Sequence, residues 1–140
     1  MAAEIIKKSI SELIFSANMS YHPEHTWACV EGDVVRVGIS DFAQDQLGDV
    51  IFVEMPRVGD SFKQGESFGI VESAKSVSTL YMPVSGEVVA INEELDNTTE
   101  LINQSPYGDG WIVVIKPDNM ATALEGLLTA EGYKSLLEGK

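Results

Sequence analysis

The stretch VESAKSVS, residues 71–78, sets a lysine between two apolar, strand-like runs, FGIV before it and VSTLYMPV after it. Lys75 stands alone in charge: from Gln64 to Ile115 the chain carries eight acidic residues and no other basic one. Its neighbours are Glu72, the small Ser73 and Ala74, and then Ser76, so nothing bulky crowds it. Two such runs joined by small and polar residues predict a hairpin with Lys75 at its tip.

The sequence on either side extends this β pattern. WACV, the turn Glu31-Gly32-Asp33 and VVRVGI predict a second hairpin. Ser40 is placed to cap a two-turn helix over DFAQDQL, and Gly48 to end it in a left-handed conformation. DVIFVEM reads as a strand stopped by Pro56, with turns at 58–60 and 63–66. Beyond the lysine hairpin, 83–86 is a turn, EVVAIN a strand, 93–107 a polar loop with a short helical turn, and GWIVVIK the last strand. Strand-turn-strand units on either side of Lys75 echo one another, which predicts two halves pairing about a pseudo-twofold with the lysine hairpin between them. The tail is helical in two segments, one capped by Asp118 or Asn119 and one by Thr129, with Leu124, Leu127, Leu128, Tyr133, Leu136 and Leu137 as apolar faces. At the other end Ile6, Ile10, Leu13, Ile14 and Ala17 form one stripe of a helix ending near Asn18, and Tyr21-His22-Pro23 begins an extended register. The expected organisation is an N-terminal helical extension, 1–20, and one domain, 21–140, with C-terminal helices over 118–139. Short strands with helices confined to the ends predict a mainly β protein, a small antiparallel sandwich or flattened barrel.

A chain of 140 residues is one domain's length, enough to bury roughly 65–70% of the surface its unfolded form exposes. A formal net charge of −13 repels phosphate backbones and anionic lipid, so neither nucleic acid nor a membrane surface is an expected partner. Cys29 is the only cysteine, which excludes an intramolecular disulfide; within a strand it reads as a buried, inert thiol. No apolar run approaches the ~18–20 residues of a membrane span. Lys7, Lys8 and Glu12 interrupt what a secretory signal would need as its apolar core, and without arginine the same stretch is a poor mitochondrial leader. A cytoplasmic, bacterial protein is the expectation.

Catalytic patterns are missing. His22 and His25 in YHPEHTW stand three apart, but Pro23 lies between them and no third ligand is near, so structural roles outweigh a metal site. There is no GxSxG, phosphate loop or dinucleotide fingerprint. A Schiff-base lysine would need burial or a cationic neighbour to lower its pKa, and the nearest charge to Lys75 is Glu72, which acts the other way. What suits a solitary lysine on a tight turn is to be modified by an enzyme that itself deprotonates the amine, ordinarily of pKa about 10.4. An ordinary solvated turn lysine is the plain alternative.

FGIVESAKSVSTLYMPVSGEVVAIN resembles the lipoyl-lysine hairpin of the glycine cleavage system H-protein family. The resemblance runs from about Tyr21 to the C-terminus and takes in YHPEHTW, VGISDFAQDQLGDVIFVEMPRVGD, LINQSPYGDGWIVVIKP and the amphipathic tail. It implies the hammerhead fold of lipoyl and biotinyl domains, a non-catalytic carrier, and lipoate in amide linkage to Lys75 within Glu72, Ser73, Ala74 and Ser76. A biotin carrier would place methionines where Ala74 and Ser76 stand. Implied partners are a lipoate ligase or lipoyl/octanoyl transferase, and lipoamide dehydrogenase. In the glycine pathway they also include a pyridoxal-phosphate decarboxylase that loads an aminomethyl group and a folate-dependent aminomethyltransferase that unloads it.

His25, Thr26, Phe42 and Thr79 are the implied lining of the cleft that shelters the arm. Here the chain departs from the family, which typically reads EHEW where this sequence has EHTW, and Asp where it has Thr79. Phe42 replaces a usual His or Tyr. Charge-assisted hydrogen bonds are worth about 1.5–3 kcal/mol, so two threonines would hold a cationic cargo weakly. That argument tips the sequence reading towards an H-like lipoate-binding protein of a heterodisulfide-reductase-like sulfur oxidation system. The glycine cleavage H protein itself is the alternative, a lipoyl-relay scaffold a third carrier reading, and an unmodified interaction module the alternative of another class.

Overall fold

The protein, described here as a computed structural model covering residues 12–139, is built on the hairpin that WACV and VVRVGI predict. Strand β1 (Ser20–Tyr21) leads into β2 (Thr26–Glu31), which pairs antiparallel along its whole length with β3 (Val34–Ile39). Helix α1 (Asp41–Leu47) follows at once, its first turn capped by the Ser40 hydroxyl, which accepts from Ala43 N at 3.1 Å. Gly48 ends it at φ +81°, in the region where a side chain is strained. Then come β4 (Val50–Glu54), the short β5 (Ser61–Phe62), β6 (Ser67–Ser73), β7 (Val77–Tyr81) and β8 (Gly86–Ile91). Two helical turns, one 3-10 (Glu93–Asp96) and one α2 (Leu101–Gln104), occupy the polar stretch before β9 (Val113–Pro117).

These strands form two antiparallel sheets, one ordered β1-β2-β3-β9-β8-β5 and the other β4-β6-β7. No ladder joins them among the described residues, so the sandwich is realised and a closed barrel is not. Alternation along each strand sends Val35, Val37, Val113 and Ile115 from one sheet, and Val53, Val71 and Leu80 from the other, into a shared core. Each such fully buried aliphatic side chain stabilises the fold by about 1.5–3 kcal/mol. The internal echo survives in part: β5 pairs with β8, but the second half ends in helical turns where the first ends in a strand.

A second apolar cluster of Tyr21, Trp27, Tyr133 and Leu137 seats helix α3 (Ala130–Glu138) against β1 and β2. Thr129 caps α3 by accepting from Gly132 N, and Asn119 caps a preceding 3-10 turn, Met120–Thr122. Tyr21 and Leu128 exchange backbone bonds at 2.8 and 2.7 Å, fastening the tail to the sheet edge.

Most of the expected N-terminal helix lies outside the described residues, and between Leu13 and Met19 there is no helix. Tertiary bonds take the backbone there: Ile14 N donates to Asp41 Oδ2 at 2.9 Å, and Ile14 O accepts from the Tyr107 hydroxyl at 2.7 Å. Leu13 is buried, while Ile14, on the same sequence stripe, is 62% exposed.

Trp27 shows why β3 carries a glycine at position 38. Its indole crosses the partner strand at Gly38, and a Cβ there would stand 2.6 Å from the ring. Gly38→Ala is therefore expected to destabilise the fold by about 1–3 kcal/mol, read as a lowered urea midpoint at unchanged slope.

Candidate functional site

Lys75 stands exposed on the turn between β6 and β7. The turn is closed by Ser73 N donating to Ser76 O at 2.8 Å. The Ser73 hydroxyl is itself buried and accepts from Ser76 N at 3.2 Å and Lys75 N at 3.4 Å. The small residues thus have a reason: Ser73 folds inward to bridge the turn, and Ala74 and Ser76 leave the lysine unobstructed. A Cβ on Gly48 would lie 3.6 Å from Lys75 Cε, so the lysine stem passes over the end of α1.

Beside this turn lies a cleft of about 330 Å³. Its walls are β7, the start of β2 and one face of α1, with Val71 and Leu80 among its apolar lining. All four residues named for it from the sequence are there: His25, Thr26, Phe42 and Thr79. The sequence reading missed Leu47 and Glu24, which also line it. Leu47 belongs to the apolar side of an amphipathic helix and had a signal; Glu24, next to a histidine in a turn, had none.

Thr26 is almost fully buried, and its hydroxyl donates to Tyr81 O at 2.8 Å. That bond ties β2 to β7 across the sandwich, so the hydroxyl is engaged with the fold and is not a free acceptor for cargo. Thr79, by contrast, is exposed on an edge strand. The cleft is not without a carboxylate, since Glu24 borders it. The electrostatic case for an uncharged cargo, built on two threonines, left that carboxylate out of account.

His25 sits at the other rim with φ +83°, a left-handed backbone that costs a non-glycine residue about 1 kcal/mol or more. Its carbonyl accepts from Ser40 N at 2.9 Å and its amide donates to His22 O at 2.8 Å. Its Nδ1 is 2.7 Å from the Tyr133 hydroxyl, which is also 2.7 Å from Ser40 Oγ. The ring lies 5.1 Å from that of Phe42. His22 accepts from Glu24 N through Nδ1, so each histidine of the pair has a local task, and no group of three His, Cys, Asp or Glu among the described residues is placed to hold a metal. Cys29 is half-buried rather than buried; desolvation, then the Glu31 charge, push its thiol pKa up and keep it protonated.

An exposed lysine on a hairpin turn, beside a mostly apolar cleft, is an arrangement that suits a carrier holding its working group on an arm. The comparisons with known proteins agree. The family model described as Glycine cleavage H-protein matches residues 19–140. A glycine cleavage system H protein of Bacteroides thetaiotaomicron is 47% identical over 125 residues, 89% of this chain and 98% of that protein. One from Halalkalibacterium halodurans is 52% identical over 119 residues, 85% of this chain and 92% of the relative. The crystal structure of a glycine cleavage system H protein from Mycobacterium marinum superposes with a TM-score of 0.79 at 39% identity, covering 89% of this chain and 99% of that one. The chain belongs to the glycine cleavage H-protein family. Its members are non-catalytic carriers of a lipoyl group bound covalently to a lysine. The lean towards sulfur oxidation finds no support among these relatives. No helix among the described residues is long and apolar enough to cross a membrane.

Two outcomes are expected of this geometry. Thr26→Val keeps the shape but removes the bond to Tyr81 O, and should cost about 0.5–1.5 kcal/mol in urea unfolding. Burial pushes the Tyr133 hydroxyl pKa far up, so the folded state keeps a proton that the unfolded chain releases near pH 10. The stability this contributes is present below about pH 10 and lost as pH rises further. The urea midpoint should therefore fall less between about pH 9 and pH 11 in Tyr133→Phe than in the wild type.

Proposed function

We propose that Lys75 carries lipoate in amide linkage, that the neighbouring cleft shelters the finished arm, and that the protein serves glycine cleavage as its H protein. The observation that carries this reading is the exposed Lys75 on a turn closed by Ser73, opening onto the cleft, in a chain about half identical to glycine cleavage H proteins. The bound group would supply a dithiolane that accepts and releases cargo, while the protein provides attachment and orientation.

The chain's own residues suit that division. Ile39, Phe42, Leu47, Val71 and Leu80 give the cleft an apolar lining that matches a hydrocarbon arm. Glu24 and His25 supply polar groups at its rim. The small turn residues leave the amine accessible to a lipoate ligase or a lipoyl/octanoyl transferase. The partners of the loaded protein on this reading are glycine decarboxylase, aminomethyltransferase and lipoamide dehydrogenase. The domain extends from about residue 21 to the C-terminus, and the segment before it is an addition to the carrier.

Lys75→Arg should abolish lipoylation by lipoate–protein ligase, read by intact mass and peptide mapping, with the melting temperature unchanged because the side chain is exposed. Lipoate retained by that variant would refute the site. The pathway is tested with wild-type protein loaded on Lys75, assayed for glycine–bicarbonate exchange with glycine decarboxylase beside the Bacteroides thetaiotaomicron protein. Exchange comparable to that control is the expected result.

A further inference from the structure

The register of β4 slips beside the hairpin. Val50 pairs with Ser73 and Phe52 with Glu72, so Ile51 is an extra residue bulged out of the ladder. Glu72 in turn pairs with Val77, which puts Phe52, Glu72 and Val77 in one cross-strand row directly below the turn that bears Lys75. Cross-strand partners project from the same face of a sheet. Ile51 is 56% exposed, Phe52 48% and Val77 60%. One residue further along, Val53 and Val71 turn inward and are buried, so the chain has spent its core on the other face. Asp49 and Glu54, both exposed, flank Ile51 and Phe52, and Glu72 lies within the row. No basic residue but Lys75 lies between 37 and 56 or between 64 and 115.

We propose that Ile51 and Phe52, with Val77 where this sheet face meets the cleft, are the docking surface for the enzyme that acylates Lys75, a partner with an apolar contact face and basic side chains that meet Asp49, Glu54 and Glu72. The inference rests on the reading of Lys75 as the attachment site and adds to it where the modifying enzyme binds. Ile51 and Phe52 are adjacent exposed apolar residues flanked by Asp49, Glu54 and Glu72, a pattern that marks interaction sites, and burying such anchors dominates binding energy. The position selects the occupant. Acylation joins Lys75 Nζ to the carbonyl carbon of an activated acyl donor: the C–N bond forms, the bond to the donor's leaving group breaks, and a base takes one amine proton. An enzyme performing it must bring its own groups to the bare amine, so its footprint includes the hairpin and the adjoining sheet face. Enzymes that serve the finished arm meet it at arm's length. The acidic rim calls for a basic partner and makes the encounter dependent on salt.

The test uses Ile51→Ser and Phe52→Ser, which do not line the cleft, with Val30→Ser, an exposed apolar change at the far end of β2, as the control. Initial rates of lipoylation by lipoate–protein ligase with ATP and lipoate are followed by intact mass. The double variant Ile51→Ser/Phe52→Ser should lose about tenfold or more in kcat/KM, with the control unchanged and melting temperatures alike. Glu54→Lys should slow the reaction at low salt and flatten its salt dependence. The same proteins, driven to complete loading with excess ligase, should support glycine–bicarbonate exchange at the wild-type rate. Variants modified as fast as wild type would overturn the surface. Equal losses in lipoylation and exchange would overturn its assignment to the acylating enzyme. A wild type left unmodified at Lys75 would instead overturn the proposed function itself.

Discussion

The cleft depends on one buried hydroxyl, that of Tyr133. Standing 2.7 Å from both His25 Nδ1 and Ser40 Oγ, it joins the C-terminal helix to the two rims of the site. Ser40 is the cap of α1, whose side forms one cleft wall, and the same Ser40 contributes its amide to the His25 carbonyl. Tyr133 is also stacked on Tyr21 at 4.6 Å, so its ring is fixed before its hydroxyl makes any bond. Burial keeps the proton on the oxygen, which therefore donates once and accepts once between its two partners. Each such bond contributes only about 0.5–1.5 kcal/mol net, yet leaving the hydroxyl buried without them would cost more. The left-handed backbone of His25 is held because that network, the Ser40 bond and the His22 turn all require it.

Around this anchor the molecule separates what must be rigid from what must be reached. The lysine hairpin grows out of β6, a strand paired on both sides, so its base is as firmly held as the core. Only Ala74, Lys75 and Ser76 lie outside the strands, and the inward-facing Ser73 hydroxyl accepts from the amides of Lys75 and Ser76. A lysine on a flexible loop would be as exposed but would lack a constant relation to the cleft. Thr26 completes the arrangement from below by clamping β7 to β2, which keeps the edge strand from moving away from the wall it forms.

Much of this was legible locally. The lysine hairpin announced itself through two apolar runs and small turn residues, and α1 through Ser40 and Gly48, because caps and turns are chemistry between near neighbours. What could not be read depended on distant partners. Thr26 looked only like a lost acid, because its hydroxyl's partner, Tyr81 O, lies 55 residues away; the lean on cargo built on it finds no support among the relatives. Tyr133 looked like one apolar residue of a helix, since nothing in the sequence links it to His25, 108 residues earlier. The bulge at Ile51 was hidden inside a run that reads as a plain strand, and the stripe ending at Ala17 gave a helical period to a segment in which Ile14 bonds to Asp41 and Tyr107 instead.

Charge connects the bare and the finished forms of the carrier. A lysine ammonium is strongly hydrated, and an apolar cleft would desolvate it with little return, so the unmodified side chain belongs in solvent. That is where an acylating enzyme must find it. With lipoate attached at Lys75 as proposed, amide formation would remove the cation, take the formal net charge from −13 to −14, and put a neutral, mostly hydrocarbon arm in its place. The same apolar lining that excludes the ammonium would then favour the arm by roughly 25 cal/mol for each Å² withdrawn from water. On this reading the modification itself changes the lysine from displayed to sheltered, and the fold needs no moving part to distinguish the two states.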